Sequence, residues 1–184
     1  MIALAIIFAI SCVALAIYSI IITNENRQLK ANIGQGLTKN SEIVLGENQS
    51  QVAAISIVNN VVSGVNYPQK ISINSNYIVS AQVLRAKAQV ISSDCEVFDC
   101  EIKATNNWIK GGDGYYYYLN VVNSPDTFLL CEEVMLPIGF SIQNKNKNKH
   151  VLVVSAETIT FNLGIITSVW GEAPKNWLYS IQNQ

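Results

Sequence analysis

Apolar runs of strand length recur along most of the chain, and nearly every one ends in a turn signal. Val52 to Val58 closes on Asn59-Asn60. Lys70 to Asn74 follows Pro68, a residue expected at a turn or strand edge. In Ile78 to Ile91, Leu84, Ala86, Ala88 and Val90 alternate with Arg85, Lys87 and Gln89, the period of a half-buried strand. Glu101 to Ile109 and Tyr115 to Val122 flank Lys110-Gly111-Gly112-Asp113-Gly114, a hairpin signal. Phe128 to Leu136, Gly139 to Ile142 and the β-branched Val151 to Phe161 complete the set. At least seven short strands with closely spaced turns specify an all-β domain, a β-sandwich or jelly roll. The tail from Gly164 to Gln184, with Trp170 and Trp177, is expected to cover one end of it as a loop or short helix.

Ahead of this domain the chemistry changes twice. Met1 to Ile22 carries no charge and is built almost wholly of Ala, Ile, Leu, Val and Phe. As a helix it spans ~33 Å, about one hydrocarbon core. It is read as a transmembrane or signal helix, and its length favours a retained membrane anchor. Residues 23–50 are polar and Gly-containing, a linker with one short strand at Glu42 to Leu45. The β domain then runs over 51–184. Arg27, Lys30 and Lys39 follow the apolar run and no cation precedes it, which by the positive-inside rule alone opposes export.

Charged residues make up 14% of the chain and the net charge is −1, so no electrostatic footprint for nucleic acid exists. A histidine-based triad has only His150 to draw on, beside an Asn/Lys tract, with no nucleophile motif. Glu132 and Glu133 are adjacent, and neighbouring strand residues point to opposite faces, which disfavours an acid–base pair. Asp113 alone is far short of a calcium site. No catalytic residue, cofactor site or metal site is assigned.

Cys95 and Cys100, in Cys-Glu-Val-Phe-Asp-Cys, read as a loop disulfide suited to an oxidising compartment, contributing on the order of 2 kcal/mol. Bridges from either to Cys131 remain open from sequence, and zinc would need two further ligands. Cys12 reads as a small apolar residue of the membrane helix rather than a lipidation site. Trp108, Tyr116 and Tyr118 form a candidate aromatic contact surface able to stack on sugar rings; the competing reading is cross-strand packing inside a hairpin.

Three segments carry a family resemblance in matching order. They are Val62-Ser63-Gly64 with Ile71 to Asn74 and Val83 to Lys87, then Trp108 to Tyr118, then Val153 to Thr160 with Val169-Trp170-Gly171. Together they span roughly three-fifths of the chain, and they resemble the TasA/camelysin group of exported matrix-fibre proteins with SipW-type signal peptides. The leader is longer than that family's, with Ala16-Ile17-Tyr18-Ser19. The family's Lys-Pro-Gly-Glu loop is replaced by Asn123-Ser124-Pro125-Asp126.

The resemblance implies a jelly roll, export, and a role as a cell-surface or extracellular-matrix fibre subunit or its membrane-anchored accessory. It also implies donation of an N-terminal strand, for which Glu42, Ile43, Val44 and Leu45 are the candidate. The expected partners are the membrane and other copies or related surface proteins. A stalked carbohydrate-binding module, with a glycan as partner, is the alternative. A pilin-like filament subunit comes third, because Ala5 stands where pilins usually carry Glu.

Overall fold

A computed structural model describes residues 41–57, 64–76, 78–92, 96–137 and 150–184. The apolar leader, the Gly139 to Ile142 strand and nearly all of the Asn/Lys tract lie outside them. Among the described residues no helix is long and apolar enough to cross a membrane.

The fold is all-β and two-layered. β1 (Ser41–Leu45), β3 (Asn66–Ser75), β9 (Thr127–Met135) and β6 (Glu101–Ala104) form one sheet in the order β1-β3-β9-β6. β2 (Ser50–Ile57), β10 (His150–Thr160), β4 (Gln82–Ile91), β8 (Tyr116–Tyr118) and β7 (Trp108–Lys110) form the second in that order. β5 (Val97–Asp99) also pairs with β4, opposite Gln89 to Ile91. All pairings are antiparallel except β1 with β3.

Alternation decides which face is buried. Leu84, Ala86, Ala88 and Val90 of β4 point between the sheets with Leu152, Val154 and Ala156 of β10. Ile71 and Ile73 of β3 and Leu130 of β9 meet them from the other layer. β1 belongs to this body, since Ile43 and Leu45 are buried in the same core.

The outward face of the six-stranded sheet is covered too, at one end. α1 (Leu163–Val169) and α2 (Lys175–Gln182) lie over it and form a second core with Val83, Tyr117, Ile166, Trp170, Trp177 and Ile181. Asn162 starts α1 as a side-chain cap, accepting from the N–H groups of Gly164 at 2.9 Å and Ile165 at 3.2 Å. The expected tail cover is therefore two short helices.

Several sequence expectations are redrawn. Glu101 to Ile109 is not one strand. β6 belongs to the four-stranded sheet and β7 to the other, with the chain crossing at Thr105 to Asn107. The segment Val97–Asp99, taken as a loop, is strand β5, because Phe98 packs against the core opposite Val90. Residues 78–81 lie outside β4, and Tyr115 to Val122 contributes only the short β8 plus one bridge from Val122 to Gln82. Pro68 sits inside β3 opposite Glu133, next to a register shift. β1 pairs only with Ile71 to Ser75, so the missing Pro68 N–H costs that ladder nothing.

Candidate functional site

The features able to act are the sheet edges and a buried charge–aromatic cluster. The first edge is β1. Its parallel register sets Ser41 opposite Ile71 and Leu45 opposite Ser75. Ile43 and Leu45 enter the core, while Val44 is 49% exposed on the outside. Glu42 accepts a hydrogen bond from the Asn74 amide at 2.8 Å.

A tight turn then carries the chain across to β2 in the other sheet. Gln49 Oε1 accepts from Gly46 N–H at 2.8 Å, and the Thr158 hydroxyl donates to Gly46 O at 2.6 Å. Asn48 adopts φ 47°, a left-handed conformation that asparagine tolerates. Its Oδ1 accepts from Thr160 N–H at 2.7 Å.

Glu47 ties this turn to the loop before β4 by accepting from the N–H groups of Val79 at 2.8 Å and of Ser80. The Val79 N–H first, and then Ser80, hold its carboxyl below the ordinary value of 4.5. Because the folded form holds the proton less tightly, this stabilisation is complete above about pH 4.5 and is lost as pH falls through the depressed value. Protection of the Val79 and Ser80 amides, measured relative to their intrinsic exchange rates, is expected to fall on acidification below that point. In Glu47→Ala the acid-dependent change should be absent.

The cluster lies on the outward face of the six-stranded sheet. The Arg85 guanidinium is sandwiched between the rings of Tyr115, at 3.9 Å from the centroid, and Trp170, at 4.6 Å. It pairs with Glu157 at 2.7 Å and stands 3.7 Å from Asp113. Tyr117 donates its hydroxyl to Asp113 at 2.6 Å. Burial, then this bond to a carboxylate, pushes the Tyr117 phenol upward, so it stays neutral.

The Gly-rich turn is shaped around the same contact. A Cβ at Gly111 would stand 2.6 Å from Asp113 Oδ1 and 2.8 Å from Tyr117 Cε2, and Gly114 takes φ 81°. This constellation is a charge-satisfied clamp between sheet and helices. The sequence does not single out Glu157 and carries no signal that β10 lies beside β4, which is what brings Glu157 to Arg85.

The aromatic residues assigned as a contact surface are largely interior. Trp108 is 7% and Tyr116 5% exposed, and Tyr118 is partly buried against the same core. Trp108 meets Tyr118 edge-on at 5.3 Å, and its indole N–H donates to Leu129 O at 3.0 Å. On a strand, alternation puts Tyr116 and Tyr118 on one face and Tyr115 and Tyr117 on the other. Tyr116 and Tyr118 face the inter-sheet core, while Tyr117 is buried under the helices and Tyr115 is half-buried over Arg85. The helices cover what alternation alone leaves exposed.

Glu132 and Glu133 also depart from alternation. Ile102 stands opposite Val134 and Ala104 opposite Cys131, so Lys103 faces both glutamates across a β-bulge. Both line one open hollow of about 300 Å³ with Lys103, Thr105 and Leu129. Lys103 reaches Glu133 at 3.4 Å, and the Thr105 hydroxyl is committed to Leu129 O at 3.0 Å.

Cys100 and Cys131 are free thiols buried in the core. Cys95 lies outside the described residues, so no Cys95–Cys100 bridge is among the contacts described. Burial pushes both thiols up to about 12, far from the thiolate needed for reaction. Neither is expected to be alkylated by iodoacetamide in the native protein, and both in denaturant without reductant. Mass spectrometry of the labelled peptides checks this.

Among the described residues no group of three or more His, Cys, Asp and Glu is placed to hold a metal. Comparisons with protein-family models, with curated proteins and with solved structures find no match to this chain.

Proposed function

We propose that the chain is an exported, membrane-tethered jelly-roll protein of the cell surface that acts by contact, as a matrix-fibre subunit or as the anchored accessory that roots such a fibre. The observation that carries this reading is β1. It is a short strand paired, among the described residues, on one side only, with Ile43 and Leu45 buried in the core beside β3. Such a strand can leave its own sheet and be replaced by the same strand of another copy with the same ladder along β3, the change falling on the Gly46 to Gln49 hinge. The apolar leader and the resemblance to the TasA/camelysin group point the same way.

The stalked glycan-binding alternative needs an open aromatic platform, and the burial of Trp108 and Tyr116 weakens it. N-terminal sequencing and fractionation of the protein from its native cells test the proposal. The expected product is membrane-associated or extracellular and multimeric. A cytosolic monomer would contradict it.

A further inference from the structure

The second edge, β2, is chemically unlike every other sheet edge among the described residues. β1 is five residues long and carries Glu42; β6 is four residues long with Glu101 and Lys103. β5 and β7 have three residues each, with Asp99 and Lys110. β2 runs eight residues, Ser-Gln-Val-Ala-Ala-Ile-Ser-Ile, with no charge and no proline. Sheets normally blunt an edge with charge, proline or shortness, and β2 has none of these.

Its free side can be read from the ladder. Thr158 N–H donates to Gln49 O at 2.8 Å, which makes Gln49 and Thr158 a hydrogen-bonded pair. Alternate residues of an antiparallel strand turn their peptide groups to opposite sides. Gln51, Ala53 and Ile55 therefore bond to Ala156, Val154 and Leu152 of β10. The peptide groups of Ser50, Val52, Ala54 and Ser56 then point away from the sheet.

The outward surface next to this edge is apolar. Val52 is 61% exposed and Ala54 is exposed beside Val153. Val151 and Ile91 continue the strip to Val97, itself 54% exposed.

We infer that β2 is the site where a second copy of this chain adds its own β2, antiparallel, about a two-fold axis through Ala53. This choice of partner deepens the self-assembly reading above and rests on it. In that register Val52 of each copy stands opposite Ala54 of the other, and Ser50 opposite Ser56. All four outward-facing residues are satisfied inside the strand, in about eight hydrogen bonds at two per pair. The strand is complementary to itself: small faces small, no charge is left unmatched, and a closed two-fold dimer results. Ala54→Pro removes an outward N–H and no bond to β10, a position where an edge strand tolerates proline. Val52→Lys places a charge beside the axis.

The test is sedimentation equilibrium of the full chain in mild detergent, with folding of each variant checked by circular dichroism. The wild type should dimerise reversibly. Either edge variant should weaken dimerisation at least tenfold, while Val79→Lys, at an exposed loop, should not. Amide exchange on the wild type keeps the test open if both variants misfold. Protection of Val52 and Ala54 that rises with protein concentration supports the pairing, and concentration-independent exchange overturns it. Self-association unaffected by both edge variants but lost in Ile43→Asp would sink β2 pairing and leave the assembly reading standing. A chain that stays monomeric at every concentration would sink both.

Discussion

Trp177→Ala is expected to lower the unfolding free energy by about 3–5 kcal/mol, the range for removing a fully buried aromatic side chain. Trp177 is the keystone of the second core. Its ring lies 4.8 Å from Tyr117 and 6.1 Å from Trp170, and its indole N–H donates to Tyr118 O at 2.7 Å. Truncation opens a cavity and leaves that carbonyl without its indole donor. It also loosens Trp170, which forms one wall of the Arg85 sandwich. For a domain of this size the midpoint should fall by on the order of 10 °C. Near-ultraviolet circular dichroism should lose its aromatic signal early, because Tyr117, Trp170 and Trp177 report on one another. A loss below about 1 kcal/mol would mean that the helices do not rest on the sheet as described.

Ile43→Asp is expected to release β1. The substitution removes a buried apolar side chain and sets an unpartnered carboxylate among Ile71, Ile73 and their neighbours, a cost of about 4 kcal/mol or more. Among the described residues the strand pairs with β3 alone, so leaving the sheet is the cheaper response. The rest of the core keeps its β3–β9 and β4–β10 pairings. Limited proteolysis should cut near Gly46 to Gln49 at a rate at least tenfold above wild type. Because the same strand is the one proposed for donation, multimer formation should be lost together with it. Unchanged proteolysis would show that β1 contributes little to its own sheet.

Much of the sandwich was legible because alternation is a direct imprint of a sheet with one buried face. β4 reads inward at Leu84, Ala86, Ala88 and Val90, and outward at the charged and polar residues between. β1, β2, β9 and β10 likewise begin and end within two residues of their apolar runs. What the pattern could not carry was partnership. Glu101 to Ile109 holds its own turn signal, Asn106-Asn107, which separates β6 from β7; which sheet each half joins follows only from tertiary pairing. The platform fell on the wrong tyrosine pair because alternation does not say which face turns inward: Tyr116 and Tyr118 enter the inter-sheet core, and a second layer covers Tyr117 on the outward face. That layer comes from Trp170 and Trp177, far along the chain. The bulge opposite Lys103, which turns Glu132 and Glu133 toward one hollow, is a register property of a strand pair. The free side of β2 had a trace in the sequence, an uncharged run of strand length, but which edge it occupies follows only from the strand order.

Strand donation turns on which chain owns β1 in an assembly. Val44 and Asn74 stand opposite each other in the parallel register, so a Val44→Cys, Asn74→Cys double variant can be joined by a short thiol cross-linker. In the monomer the link should form within one chain. In assembled material from the cell surface links should form between chains, seen as a ladder of covalent multimers on a denaturing gel. Links confined to single chains in material that is demonstrably multimeric would rule out strand donation.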